Sequence, residues 1–160
     1  MNLPDPCNPV ATAAVTPDCS TAAARLAQYF EQLSPRSVQD LAQYYAADAR
    51  FKDPFNAVCG SAAIEQIFVH MFRTLEQPHF VVTEQVVQGR QCFMTWEFRF
   101  RFCNFRRAEQ QVIRGASQLL FSEAGLVTLH RDYWDAAEEL YEKLPLVGAL
   151  MRWLKRRINN

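Results

Sequence analysis

Apolar positions recur at helical spacing through the first half of the chain and then switch to strict alternation. Ala23, Leu26, Ala27, Phe30 and Leu33 share one face of a helix that a cap at Asp18 or Ser20 starts and Ser34-Pro35 breaks. Ser37 caps a shorter second helix with Val38, Leu41, Tyr44 and Tyr45 on its apolar side. Arg50 to Pro54 reads as a short strand, its proline fitting a strand end or edge. Gly60-Ser61 then opens a third helix carrying Ile64, Ile67, Phe68, Met71, Phe72 and Leu75 along one stripe.

Beyond Pro78 the period becomes two, and strands are predicted over 79–88, 91–103, 109–121 and 126–135. Gln88-Gly89-Arg90 and Glu123-Ala124-Gly125 are the turns between hairpin partners. In the second of these strands Met94, Trp96, Phe98, Phe100 and Phe102 alternate with Thr95, Glu97, Arg99 and Arg101, the pattern of an antiparallel sheet covered on one face. From Ala136 a helical stripe returns: Leu140, Leu144, Val147, Leu150, Met151 and Leu154, interrupted by Pro145 and Gly148. Helices followed by a meander define an α+β class. The organisation expected is a mobile tail over 1–17, a domain over 18–135, and a C-terminal helical extension over 136–160.

Composition narrows the function classes. At 160 residues the chain fits one domain that buries roughly two-thirds of its unfolded surface. Seventeen basic residues balance seventeen acidic ones, which argues against nucleic acid as a partner. Cys7, Cys19, Cys59, Cys92 and Cys103 are scattered, without a C-x-x-C pair. They suit reduced thiols in a cytoplasmic protein better than a disulfide framework or a zinc site. No phosphate loop, nucleophile elbow or metal constellation is visible, so no cofactor and no metal are expected.

Polar residues inside apolar patterns are the candidates for chemistry. Asp53 stands at the end of the first strand and Tyr29 lies on the first helix, a pair able to do acid/base work within a cavity. Asp53 could equally close a turn before Pro54, and Tyr29 could be a boundary tyrosine with a satisfied hydroxyl. His130, Asp132 and Trp134 fall on one face of the last strand because strand side chains alternate. A histidine and a carboxylate together form either a structural polar pair or a proton-handling one.

Tyr29, the segment Tyr44 to Pro54 (YYAADARFKDP), Gly60 to Ile64 (GSAAI) and Phe121 to Val127 (FSEAGLV) carry a resemblance. Over about residues 20–135 the chain resembles the ketosteroid isomerase and SnoaL-like group of the nuclear transport factor 2 superfamily. The resemblance implies a cone-shaped α+β fold, with N-terminal helices packed on a curved, mostly antiparallel sheet. It places Asp53 on the isomerase's proton-moving base and Tyr29 on its oxyanion-stabilising tyrosine. The isomerase's second oxyanion acid falls on Ser117, a hydroxyl where that family has a carboxyl. His130 and Asp132 beside Asp53 look more like the equipment of SnoaL-like polyketide cyclases. A related epoxide hydrolase activity uses an Asp-Arg-Asp set, for which Arg99, Arg114 and Arg131 are the arginines considered, with Arg99 and Arg131 on the opposite faces of their strands.

Together these residues imply a small hydrophobic ligand in a pocket lined by Phe55, Trp96, Phe98, Ser117 and Trp134, with Asp53, Tyr29, His130 and Asp132 as catalytic candidates. The resemblance also implies a homodimer through the outer sheet face bearing Thr95, Glu97, Arg99 and Arg101. The other reading is a non-catalytic binding or assembly module. Trp153 with Arg152, Lys155, Arg156 and Arg157 near an apolar stripe adds membrane contact as a reading of the last helix, set against a helix packed on protein with a solvated basic end.

Overall fold

In a computed structural model the described residues are 18–103 and 109–136. The expected N-terminal tail and nearly all of the expected C-terminal helix lie outside them. Helix α1 spans Ser20–Glu31, a 3-10 turn spans Ser37–Gln43, and helix α2 spans Ser61–Thr74. Six strands lie around and after them in the chain: β1 Tyr45–Lys52, β2 Ala57–Cys59, β3 Leu75–Gln88, β4 Gln91–Phe102, β5 Gln111–Phe121 and β6 Val127–Tyr133. They form one open, curved sheet in the order β2-β1-β6-β5-β4-β3. Only β1 and β6 run parallel; the other neighbours are antiparallel. This is the α+β arrangement expected, with helices on one side of the meander.

Local chemistry explains the boundaries. The Asp18 carboxylate accepts the Ser20 N–H at 3.0 Å, and Cys19 N–H bonds to the Gly89 carbonyl at 2.9 Å, which ties the start of α1 to the β3–β4 hairpin. Gly60, at φ 98°, turns the chain from β2 into α2, a conformation that other residues adopt only with strain. Glu31 at the end of α1 accepts the Val82 N–H at 3.1 Å, fastening the helix to β3.

Three boundaries differ from the sequence expectation. The second helix is a 3-10 turn, and Tyr45 belongs to β1, not to that helix. The stretch Ala46-Ala47-Asp48-Ala49 favours helix locally, but pairing of Tyr45 with Val127 and of Arg50 with Leu129 draws it into a strand with a register shift between. Strand β3 begins at Leu75 and runs through Pro78; a register break between Glu76 and His79, with Gln77 at φ 52°, accommodates the missing N–H. The three-residue β2 has too little pattern to be seen in sequence.

The core lies between the helices and the inner sheet face. Leu26 and Phe30 from α1, Leu41 from the 3-10 turn, and Ile64 and Phe68 from α2 meet Met94, Trp96, Phe100, Ile113 and Leu119 from the sheet. Leu119 is fully buried on β5, one of the central strands. Leu119→Ala should therefore lower stability by about 2–5 kcal/mol, as equilibrium urea denaturation would measure.

Candidate functional site

One polar cluster penetrates this core, and it is built around His130. Strand β6 lies between β1 and β5, so its inward side chains at 130 and 132 meet residues from both neighbours. From β1 the Tyr45 hydroxyl lies 2.5 Å from His130 Nδ1. On the other side His130 Nε2 lies 2.8 Å from Asp132 Oδ1 and 3.2 Å from Ser117 Oγ. Ser117 donates to Asp132 Oδ1 at 2.5 Å and accepts the Trp96 indole N–H at 2.9 Å.

The proton directions are consistent throughout. The indole N–H can only donate, so Ser117 uses its own proton on Asp132. His130 donates from Nε2 to the same carboxylate oxygen, leaving Nδ1 to accept from Tyr45. Phe30 and Phe51 present their rings to the imidazole at centroid distances of 5.8 and 4.9 Å. His130 is 4% exposed and Ser117 is 3% exposed, a depth at which polar groups require partners. Asp132 Oδ1 thus receives two donors, and Oδ2 has none among the described residues.

Asp132 also borders open space. A cavity of about 30 Å³, room for one or two waters, lies among Phe30, Phe80, Val82, Met94, Ser117 and His130, with Asp132 in its wall. A larger one of about 160 Å³ shares Phe68, Phe80, Trp96 and Asp132 with it and extends past Ile67, Met71, Phe98 and Ile113. Its outer end reaches Asp53 and Trp134, which also border an open groove of about 560 Å³ with Lys52, Arg131 and Tyr133. Asp132 lines all three spaces.

The other residues singled out in sequence divide by position. Trp96, Phe98, Ser117 and Trp134 line the cavities, and Phe55, half exposed, meets Trp134 edge-on at 5.4 Å beside the mouth. Asp53 reaches the mouth, but its carboxylate also closes a turn. Its Oδ1 accepts the backbone N–H groups of Phe55 (2.7 Å) and Asn56 (2.5 Å), and Asn56 Nδ2 bonds both oxygens. Tyr29 is not in the cavity walls; its hydroxyl donates toward the carbonyls of Ser37 (3.2 Å) and Val38 (3.4 Å), and its ring stacks on Tyr44. Arg99 and Arg114 both bind Glu97 on the outer face, at 2.7 and 3.2 Å, and Arg131 lies over the Tyr133 ring. No arginine among the described residues joins Asp132 in the inner cavities.

Two residues of the site were missed in sequence. Tyr45 was hidden by the helical reading of 38–45. Gly115 lies directly opposite Trp96 across β4–β5, and a glycine inside an alternating strand was the available signal. Among the described residues no group of three or more His, Cys, Asp or Glu side chains is gathered as a metal site requires, and no helix is long and apolar enough to cross a membrane.

The family model described as a SnoaL-like domain matches residues 26–130. No curated protein matches the sequence. Similar solved structures include a protein with a ketosteroid isomerase-like fold from Catenulispora acidiphila, in complex with trimethylamine (15% identity, TM-score 0.63, covering 76% of this chain and 90% of that one). An epoxide hydrolase from M. tuberculosis is similar at 12% identity and TM-score 0.62, covering 86% and 96%. A steroid delta-isomerase from Pseudomonas aeruginosa is similar at 19% identity and TM-score 0.56, covering 88% and 96%. At these identities the likeness establishes the fold and not the reaction.

Burial, followed by the charge of Asp132, holds the Tyr45 hydroxyl well above its ordinary range, and burial raises Tyr29 as well. A tyrosine whose folded pKa lies above its unfolded value of about 10 contributes stability that is intact below pH 10 and lost as pH rises. The Cys92 thiol, pushed up to about 11 by burial, adds a similar loss. Urea denaturation from pH 9 to 11 should show stability falling with pH. Above pH 10 the slope in Tyr45→Phe should be shallower by an amount that approaches about 1.4 kcal/mol per pH unit toward pH 11.

Proposed function

Because the chain belongs to the SnoaL-like domain family, we propose that it binds a compact, mostly apolar carbonyl compound and moves a proton on it with the Asp132 carboxylate. The observation that carries this reading is Asp132 itself. One oxygen is fixed by two donors, and the other is unpartnered among the described residues, at the edge of an apolar, aromatic-walled cavity. A base so arranged has its geometry set before the ligand arrives.

In the proposed reaction Oδ2 takes a proton from the carbon beside the carbonyl; the electron pair of that C–H bond forms the carbon–carbon double bond of an enolate, and the carbonyl π pair moves to the oxygen. Ser117 lines the small adjoining cavity that Asp132 also borders, and its hydroxyl can rotate from Asp132 toward an oxyanion developing at that junction once the carboxyl carries the proton. Return of the proton to another carbon gives isomerisation; attack of the carbanion on a second carbonyl of the same molecule gives cyclisation. His130 keeps the carboxylate in place, and Tyr45 keeps His130 in the tautomer that donates to it. Asp53 shapes the mouth. A cavity of about 160 Å³ is below the roughly 300 Å³ at which drug-sized pockets begin, which favours a substrate smaller than a four-ring steroid.

Deuterium exchange of the α-hydrogens of 1-indanone and 2-tetralone in D2O, followed by NMR, tests proton abstraction without knowledge of the natural product. The wild type should accelerate exchange, Asp132→Asn should lose about 10²-fold or more of that acceleration, and Asp53→Asn should stay within a few-fold. Exchange that survives Asp132→Asn but disappears in Asp53→Asn would transfer the base to Asp53. Binding without any exchange would leave a ligand carrier in place of an enzyme.

A further inference from the structure

The inner face of β5 lacks a side chain where the cavity is walled by its largest one. Gly115 pairs across the sheet with Trp96, and the two share the inward face. A Cβ built at position 115 would fall 2.5 Å from Cη2 and 2.6 Å from Cζ2 of the Trp96 indole. Contacts that short do not occur, so the six-membered ring occupies space that any other residue at 115 would fill. The indole is also held along the strand: its N–H reaches Ser117, two positions further on the same face, and Phe80 meets it edge-on at 6.2 Å.

Trp96 also lines both inner cavities. The indole therefore has two places to be: flat on β5, where the glycine leaves room, or lifted into the space beside Phe80 and Phe98. Gly115 does not carry a positive φ, so alanine fits its backbone and the steric demand of the methyl group is the whole effect of the change.

We propose that Gly115 is a specificity-determining residue that sets the depth of the ligand site by letting Trp96 lie flat. The ligand it admits is a flat ketone of one or two fused rings, lying in the cavity that the indole borders together with Phe80, Phe98 and Ile113. This rests on the reading that the cavity receives the ligand. Lifting the indole would also break its bond to Ser117, so depth and the orientation of the Asp132 partner are linked through one ring.

Xenon under pressure in crystals probes the cavity without a ligand, and binding of cyclopentanone, 1-indanone and 9-fluorenone reports its size limit. Xenon should occupy the wild-type cavity, be lost in Gly115→Ala, and return in Trp96→Phe/Gly115→Ala, where the clashing ring is absent. Gly115→Ala should weaken 1-indanone about tenfold or more and leave cyclopentanone within about threefold. Trp96→Phe alone, which removes the larger ring and with it the N–H donated to Ser117, should tighten 9-fluorenone about tenfold.

Xenon retained at full occupancy in Gly115→Ala, or absent from the wild type, would overturn the proposal. So would equal weakening of small and large ketones, or failure of Trp96→Phe to widen the range. If the xenon pattern holds while the wild type binds none of the ketones, the acid/base reading and the ketone as ligand both fail, and only the setting of cavity depth by Gly115 stands.

Discussion

Burying an imidazole beneath an aromatic layer is costly unless both of its nitrogens are satisfied, and that requirement organises the centre of this protein. His130 lies on β6 with Phe30 and Phe51 around it, so its partners must come from its own strand and the strands on either side. Tyr45 on β1 meets Nδ1, and Ser117 on β5 with Asp132 on β6 meets Nε2. The parallel pairing of β1 with β6, unusual in an otherwise antiparallel sheet, is what brings a residue from position 45 beside one from position 130. The order of the strands and the order of the protons are therefore one arrangement.

Much of the fold was legible because the two periodicities are clean. The alternation over Met94 to Phe102 located β4 to within a residue, and the Gly125 turn located the β5–β6 hairpin. What was illegible was non-local. Little near Tyr45 announces a strand; Ala46 and Ala47 follow it, and the pairing that decides the matter is with Val127, more than eighty residues on. The same distance hid its role at His130.

The candidate site was legible in part for a related reason. Alternation placed His130 and Asp132 on one face, and the structure brings them together with Ser117, the position where the isomerase resemblance had a carboxyl. Resemblance also singled out Asp53 and Tyr29. Asp53 reaches the mouth, with its oxygens engaged by Asn56 and Phe55, and Tyr29 points to the carbonyls of the 3-10 turn. Periodicity reveals which face a side chain occupies far better than which hydrogen bonds it completes, because donors from loops and distant strands leave no periodic trace.

Among the described residues strand β3, fourteen residues long, forms one margin of the open sheet, and an uncovered edge of that length would ordinarily recruit strands from other chains. Here Pro78 offers no N–H, two register breaks bend the line of donors and acceptors, and the Val82 N–H is already taken by Glu31 of α1. Concentrating the protein should not lengthen its sheet into fibrils along this margin. Along this margin a contact with another copy would have to be matched by side chains and not by backbone groups.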